Sequence, residues 1–308
     1  MTEHGFRYRL YGLSIDSEYA LPGVPPEASR CELCDLTIRW CDSLPEGTEP
    51  SRTVCHPEAP GLPSIRLSAD GSHILTWDET ITFLLGPDGK TLRVMCRDGF
   101  SRYVPTVTVG VALGLVLHLR ACVALHASVL QIGDRTIAVL GRSGSGKSSF
   151  AAAMVLEGAR LYSDDIAAII RHEDGRHYVQ RGCMGLRLCP DAVSALLGAN
   201  DLPEVPYANK LLWDLSGQPA LQEQALLGGI YILQSGDYGD VPTIAPPLTP
   251  AQSLPAIIDN YYPPQLRRLL DRPKLQQMAG LAQTTPLHVV RYRKTWEQLR
   301  ELAKMMCR

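Results

Sequence analysis

The eight residues from Gly141 to Ser148 fit the G-x-x-x-x-G-K-[ST] pattern of loops that bind nucleoside triphosphates. Glycines in such a loop let consecutive backbone N–H groups turn inward around an anion, and a following helix N-terminus adds partial positive charge. Lys147 can then reach the β- and γ-phosphates, and the Ser148 hydroxyl can ligate Mg²⁺. We therefore predict that the chain binds ATP and Mg²⁺. The predicted nucleotide-binding residues are Gly141, Arg142, Ser143, Gly144, Ser145, Gly146, Lys147, Ser148 and Ser149.

Two adjacent carboxylates, Asp164 and Asp165, follow this loop after one predicted helix. One of them, Asp164 by position, can accept the proton of an attacking hydroxyl, and Asp165 can hold Mg²⁺ or lie beside the phosphates. The alternative is a solvated turn at the end of a strand, where aspartate is common. The loop upstream favours the catalytic interpretation, because a strand–helix–strand unit would bring the loop and the acid pair together.

Four basic side chains are further candidates for the site. His126 lies in an apolar predicted strand, where a histidine is either a hydrogen-bonded core residue or, if the strand pairs with the one that enters the loop, a group near the phosphates. Arg142 and Lys210 can neutralise phosphate charge, although exposed cations are usually only solvated. Arg181, in a glycine-punctuated turn, could face the phosphate acceptor.

The elements that must position these residues fall into two parts. Residues 6–100 show alternating apolar and polar residues, which predicts β-strands. Pro-rich loops separate the earlier strands, and Asp-Gly turns among the later ones predict a meander of β-hairpins. An apolar run that ends near Arg120 predicts a buried helix, with Pro105 in its first turn. Residues 123–131 predict one strand, and a second strand runs into the loop. We therefore expect a mostly β domain over residues 1–98 and an α/β P-loop domain over residues 99–308.

The composition argues against a nucleic-acid-binding protein and against a membrane protein. The 308-residue chain has a formal net charge of −2, which gives no global attraction to nucleic acid or to an anionic membrane. No apolar stretch is long enough to cross a bilayer, so we expect a cytoplasmic protein. Its nine cysteines then predict free thiols. Cys31 and Cys34 suggest a zinc site, but Cys34 lies on the predicted core face of its strand and no second close ligand pair follows.

The residues also resemble the HPr serine kinase/phosphorylase family, and within it the HPr-kinase-like proteins of peptide-modification gene clusters. The resemblance covers residues 124–188: the histidine strand around His126, the loop from Gly141 to Ser148, the acid pair, and the turn after Arg181. It implies transfer of the γ-phosphoryl group of ATP to a serine hydroxyl. On this basis Asp164 is the general base, His126 and Lys147 assist at the transferred group, and Ser148 and Asp165 hold Mg²⁺.

The resemblance also bears on the acceptor and on assembly. The bifunctional HPr enzymes commonly carry an acidic residue where this chain has Ser149, which argues against the reverse phosphorylase reaction and against HPr as substrate. Related kinases phosphorylate the C-terminal serine of lasso-peptide precursors, so a peptide or protein serine is the expected acceptor. The HPr enzymes are hexamers, so a homo-oligomer is expected as well. An unpaired edge of the first β-sheet could hold an extended peptide.

Two other functions stay open at this point: a kinase for a small metabolite alcohol, and a regulatory module that binds NTP without transferring phosphate. The acid pair together with His126 favours a kinase of either kind, since a simple switch needs no base beside the γ-phosphate.

Overall fold

A computed structural model describes residues 5–27, 33–56, 63–120, 122–198, 201–219 and 221–308. It shows a mixed α/β fold with two large β-sheets and a short two-stranded sheet. Cys31, one of the cysteines considered as a zinc ligand, lies outside the described residues.

The first sheet has eight strands, in the spatial order β1-β2-β3-β8-β7-β6-β5-β4. They are β1 (Phe6–Leu10), β2 (Leu13–Ser17), β3 (Leu36–Trp40), β4 (Pro50–Cys55), β5 (Ser64–Ser68), β6 (His73–Trp77), β7 (Ile81–Leu85) and β8 (Thr91–Cys96). Strands β4 to β8 form the predicted antiparallel meander. Strand β3, one of the earlier strands, pairs in parallel with both β2 and β8, which the long connections on either side of it permit.

A helical segment leads from the first sheet to the second. It consists of α1 (Val104–Val107), a π-helical turn over Thr108–Ala112, and α2 (Leu113–His118). The predicted buried helix is therefore confirmed, with Pro105 in the first turn. Its apolar side chains are almost wholly removed from water, as the unbroken apolar run of the sequence requires.

The second sheet has nine strands and surrounds the glycine-rich loop. They are β9 (Val123–His126), β10 (Ser128–Ile132), β11 (Arg135–Leu140), β12 (Arg160–Ser163), β13 (Ile166–Arg171), β14 (His177–Gln180), β17 (Gln224–Ser235), β18 (Thr243–Ile244) and β19 (Leu287–Tyr292). The long strand β17 joins its two halves, since it pairs in parallel with β11 and β19 and antiparallel with β14. Strands β15 (Gly185–Leu188) and β16 (Leu211–Asp214) form the short sheet.

The prediction of a single strand over residues 123–131 was wrong. The chain divides at Ala127 into β9 and β10, which pair with different neighbours. Strand β10 lies beside β11, which enters the loop, whereas β9 pairs with β13 and places His126 opposite Ile166. His126 therefore comes close to the acid pair through β13 and not through the strand that enters the loop.

Helices cover the second sheet: α3 (Lys147–Leu156), α4 (Pro190–Leu197), α5 (Pro250–Asp259), α6 (Arg272–Thr284) and α7 (Trp296–Cys307). The closing helix α7 is capped by Thr295, whose hydroxyl accepts a hydrogen bond from the Gln298 N–H. Thr295 and Gln298 have the spacing of a capping box, but the box is incomplete, because the Gln298 amide oxygen accepts from the N–H of Arg293 and not from that of Thr295.

Buried apolar side chains from both sheets and from the helices form one hydrophobic cluster. Whether residues 1–98 and 99–308 are separate domains stays a prediction. Among the described residues, every helix is too short or too polar to span a lipid bilayer.

Candidate active site

The glycine-rich loop connects β11 to α3. Gly144 and Gly146 have φ values of 78° and 89°, in the left-handed region that favours glycine. Gly146 also lies close to Tyr292, since a Cβ at this position would come within 2.5 Å of the tyrosine hydroxyl oxygen. The two glycines therefore permit both the backbone turn and the close packing of the loop on the end of β19.

Hydrogen bonds hold the loop in shape. The Lys147 ammonium donates to the Gly141 carbonyl oxygen at 2.6 Å, and the Tyr292 hydroxyl donates to the Ser145 carbonyl oxygen at 2.6 Å. Burial lowers the pKa of Lys147, and the nearby carboxylates of Asp164 and Asp165 oppose that shift. The Ser145 hydroxyl is buried and has no hydrogen-bond partner within the described parts of the chain. These bonds fix the loop, although Ser145 itself does not line the cavity described below.

The acid pair occupies the two-residue link between β12 and β13. Asp164 is only 5% exposed, and its carboxylate accepts a hydrogen bond from the Ser128 hydroxyl at 2.6 Å. Burial raises the pKa of Asp164 above the usual aspartate value, although the Ser128 bond and the charge of Arg187 lower it. A carboxylate with a raised pKa is a better proton acceptor, which is the property that a general base needs.

Asp165 has a different environment. Its φ of 71° lies in the left-handed region, which is uncommon outside glycine and often marks a functional position. Its carboxylate lies 3.3 Å from the Arg187 guanidinium and 3.2 Å from His126 Nδ1. Burial acts to raise the pKa of Asp165, but Arg187 and the hydrogen bond to His126 outweigh it and hold this pKa well below the usual range. The two neighbours thus differ: one stays anionic, and the other is disposed to take up a proton.

The loop and the acid pair face one cavity of about 360 Å³. Of the predicted site residues, those that line it are His126, Ser143, Gly144, Gly146, Lys147, Ser148, Ser149, Asp164, Asp165 and Lys210. Arg181 does not line this cavity, and its guanidinium donates to the Leu221 carbonyl oxygen at 3.2 Å, so its place facing the acceptor stays a prediction.

Sequence reasoning assigned no role to three residues of the site. Arg187 is an ion-pair partner of Asp165 and lines both this cavity and a second one of about 300 Å³. Ser128 holds Asp164, and Tyr292 holds the loop. The sequence signal for Arg187 was its place in the apolar strand β15, where a charged side chain needs a partner.

The oxygen donors of the cavity suit Mg²⁺, a hard cation that binds carboxylates, hydroxyls and phosphate oxygens. Ser148, Asp164 and Asp165 supply such oxygens, whereas the described residues contain no cluster of three or more His, Cys, Asp or Glu side chains fit to bind a metal by themselves. The donor set therefore fits a cation that arrives with phosphate. Cys34, the described member of the suggested zinc pair, has a free thiol.

Comparisons with known proteins add little to this geometry. No protein-family model and no curated protein matches the chain in sequence. Among solved structures, the HPr(Ser) kinase/phosphatase from Coxiella burnetii is similar to this chain, with a TM-score of 0.32 and 14% sequence identity. The similarity covers 59% of this chain and 93% of that one. A similarity this weak does not establish a shared activity, so the functional assignment depends on the residues of the cavity.

Proposed function

We propose that this chain is an ATP-dependent kinase that transfers the γ-phosphoryl group to a serine hydroxyl of a peptide or protein. The observation that supports the proposal is the shared cavity: the loop with Lys147 and Ser148 forms one wall, and Asp164 with Asp165 forms another. A triphosphate held by that loop and an alcohol activated by Asp164 would meet in one enclosed space. A protein that only binds NTP needs no carboxylate pair with a buried member at that position.

The residues that line the cavity would have different parts in the phosphoryl transfer. Lys147 and the backbone N–H groups from Gly144 to Ser148 would bind the triphosphate and neutralise its charge. Mg²⁺, held by Ser148 and Asp165 when it is bound, would add positive charge at the phosphate oxygens. Asp164 would take the proton of the incoming hydroxyl, which is a weak nucleophile at neutral pH.

His126 and Arg187 keep Asp165 ionised and in place. In-line phosphoryl transfer depends mainly on positioning and on charge stabilisation, which are the two contributions that this set of side chains can make. A precursor peptide with a C-terminal serine, as in the lasso-peptide clusters, is the first acceptor to test. A small metabolite alcohol is the alternative acceptor, and an NTP-dependent regulatory role without transfer is the alternative function.

One assay separates these functions. The full chain is incubated with γ-labelled ATP, Mg²⁺ and, in parallel, a serine-containing precursor peptide, the peptide with that serine replaced by alanine, and free serine. We expect mass spectrometry to show a gain of one phosphate on the serine peptide alone. Phosphate on free serine but not on the peptide would support the metabolite kinase, and nucleotide binding with no phosphorylated product in any arm would support the regulatory module.

A further inference from the structure

Two groups of side chains that line the cavity differ in chemistry. One is the charged group of His126, Asp164, Asp165 and Arg187. The other comes from the end of β19 and the first turn of α7, from Tyr292 to Leu299. In this second group, the half-buried aromatic side chain of Trp296 lies beside the exposed polar residues Lys294 and Thr295.

Trp296 is the partly exposed aromatic residue of this second group. It is the first residue of α7, and Leu299 lies one turn later, so the two side chains share one face of the helix. That face lies against the loop, because a Cβ at Gly146 would come within 3.9 Å of Leu299 Cδ1. Leu299 is 3% exposed, whereas Trp296 is only half-buried and lines the cavity. The indole therefore has surface available beside the phosphate-binding loop.

We propose that the nucleobase of the bound triphosphate stacks on Trp296. This inference rests on the proposed function, which places the terminal phosphate among the carboxylates and Lys147. The rest of the nucleotide must then lie along another part of the cavity wall, and α7 supplies a part that is close to the loop at Gly146. A tryptophan presents a large, rigid aromatic surface to a heterocycle at small entropic cost, and every base has such a surface. Exposed Lys294 and Thr295 flank the indole and supply a polar rim for the sugar.

The test compares a ligand that has a base with one that lacks it. Mg²⁺-ATP and Mg²⁺-tripolyphosphate are titrated by calorimetry into the wild type, into Trp296→Leu, and into Trp213→Phe as the control, since Trp213 is also half-buried but does not line the cavity. We expect Trp296→Leu to weaken ATP binding roughly tenfold, because a tenfold loss lies within the range found when an aromatic residue that stacks on a base is replaced. Tripolyphosphate affinity should not change, and the Trp213 variant should bind both ligands as the wild type does.

Fluorescence gives a second readout. ATP should quench the emission of the wild type and of Trp213→Phe, and this quenching should be lost in Trp296→Phe. Equal ATP affinity in wild type and Trp296→Leu would overturn the proposal. An equal loss of affinity for ATP and for tripolyphosphate in Trp296→Leu would also overturn it, because Trp296 would then only support the loop. A third contrary result would be a Trp296→Leu enzyme in which only the KM for the phosphate acceptor changes. A wild type that binds neither ligand would instead contradict the proposed function.

Discussion

The different environments of Asp164 and Asp165 are the chemical core of the site. Asp165 is fixed between Arg187 and His126 and has a depressed pKa, whereas Asp164 is buried beside a neutral hydroxyl and has a raised one. Two neighbouring carboxylates whose environments move their pKa values apart are a recurring basis for acid–base assignments. The adjacent pair was visible in the sequence, but this difference was not, because it depends on β9, β10 and β15.

Arg187 forms an ion pair with Asp165 and also acts through its charge on Asp164, so its replacement should change the pH dependence of turnover. Asp164 can act as a base only when ionised, so turnover should fall as pH drops through its pKa. Arg187 lowers that pKa. Arg187→Met should therefore move the acidic limb of the kcat/KM profile to higher pH, whereas Arg187→Lys should largely keep its position. Full pH–rate profiles of the three proteins provide the measurement.

The same substitution should also reduce stability. Arg187→Met leaves the Asp165 carboxylate without its main partner, and we expect the free energy of unfolding in urea to fall by about 3 kcal/mol. The difference in the free energy of unfolding between the wild type and Arg187→Met should decrease at pH values below the usual aspartate pKa. As pH falls through the depressed pKa of Asp165, its carboxylate becomes protonated and no longer needs a cation. For the pH prediction above, an acidic limb of the kcat/KM profile that does not move in Arg187→Met would contradict the effect of Arg187 on the pKa of Asp164.

At the scale of elements, β4 is the edge strand of the first sheet that an acceptor peptide could extend. It pairs with β5 on one side, ends the described strand order, and its residues from Pro50 to Thr53 are exposed. Consecutive N–H groups of an antiparallel strand point to opposite sides. Of the two variants Arg52→Pro and Thr53→Pro, one therefore removes an N–H that faces β5 and the other removes one that faces away.

We expect the variant that lacks the outward N–H to raise the KM for a peptide acceptor several-fold with little change in kcat, since one strand-addition hydrogen bond is lost. The other variant should lower the melting temperature instead. Steady-state kinetics and thermal unfolding of both proteins provide the comparison. Unchanged peptide KM in both variants would place the peptide elsewhere.

Elements with strong local signals could be predicted from the sequence, and those decided by pairing could not. The strand Leu287–Tyr292, the Asp174-Gly175 hairpin between β13 and β14, and the Thr295 cap of α7 each follow from their own residues. The break at Ala127 does not, because both flanking segments are equally apolar and only their different partners separate them. Arg187 was missed for the same reason, since its partner Asp165 lies in the link between β12 and β13, far from it in sequence.

At the scale of the whole molecule, turns next to β1 and β2 contact the segment from Arg181 to Met184, which follows β14. The Tyr11 N–H donates to the Arg181 carbonyl oxygen at 2.7 Å, and the Met184 N–H donates to the Gly23 carbonyl oxygen at 2.7 Å. Between these two contacts, the Cys183 carbonyl oxygen accepts a hydrogen bond from the Asp164 N–H at 2.7 Å. The part of the chain that carries the first sheet is therefore connected by hydrogen bonds to the backbone of the proposed base.

The most direct test of the central claim is to measure ATP binding and phosphoryl transfer on the same Asp164→Asn protein, with Lys147→Ala in parallel. We predict that Asp164→Asn binds ATP within about threefold of the wild type while transfer falls by about 10²–10⁴-fold, because the loop is intact and the base is lost. Lys147→Ala should abolish transfer by weakening the hold on the phosphates. Near-normal transfer by Asp164→Asn would contradict the account.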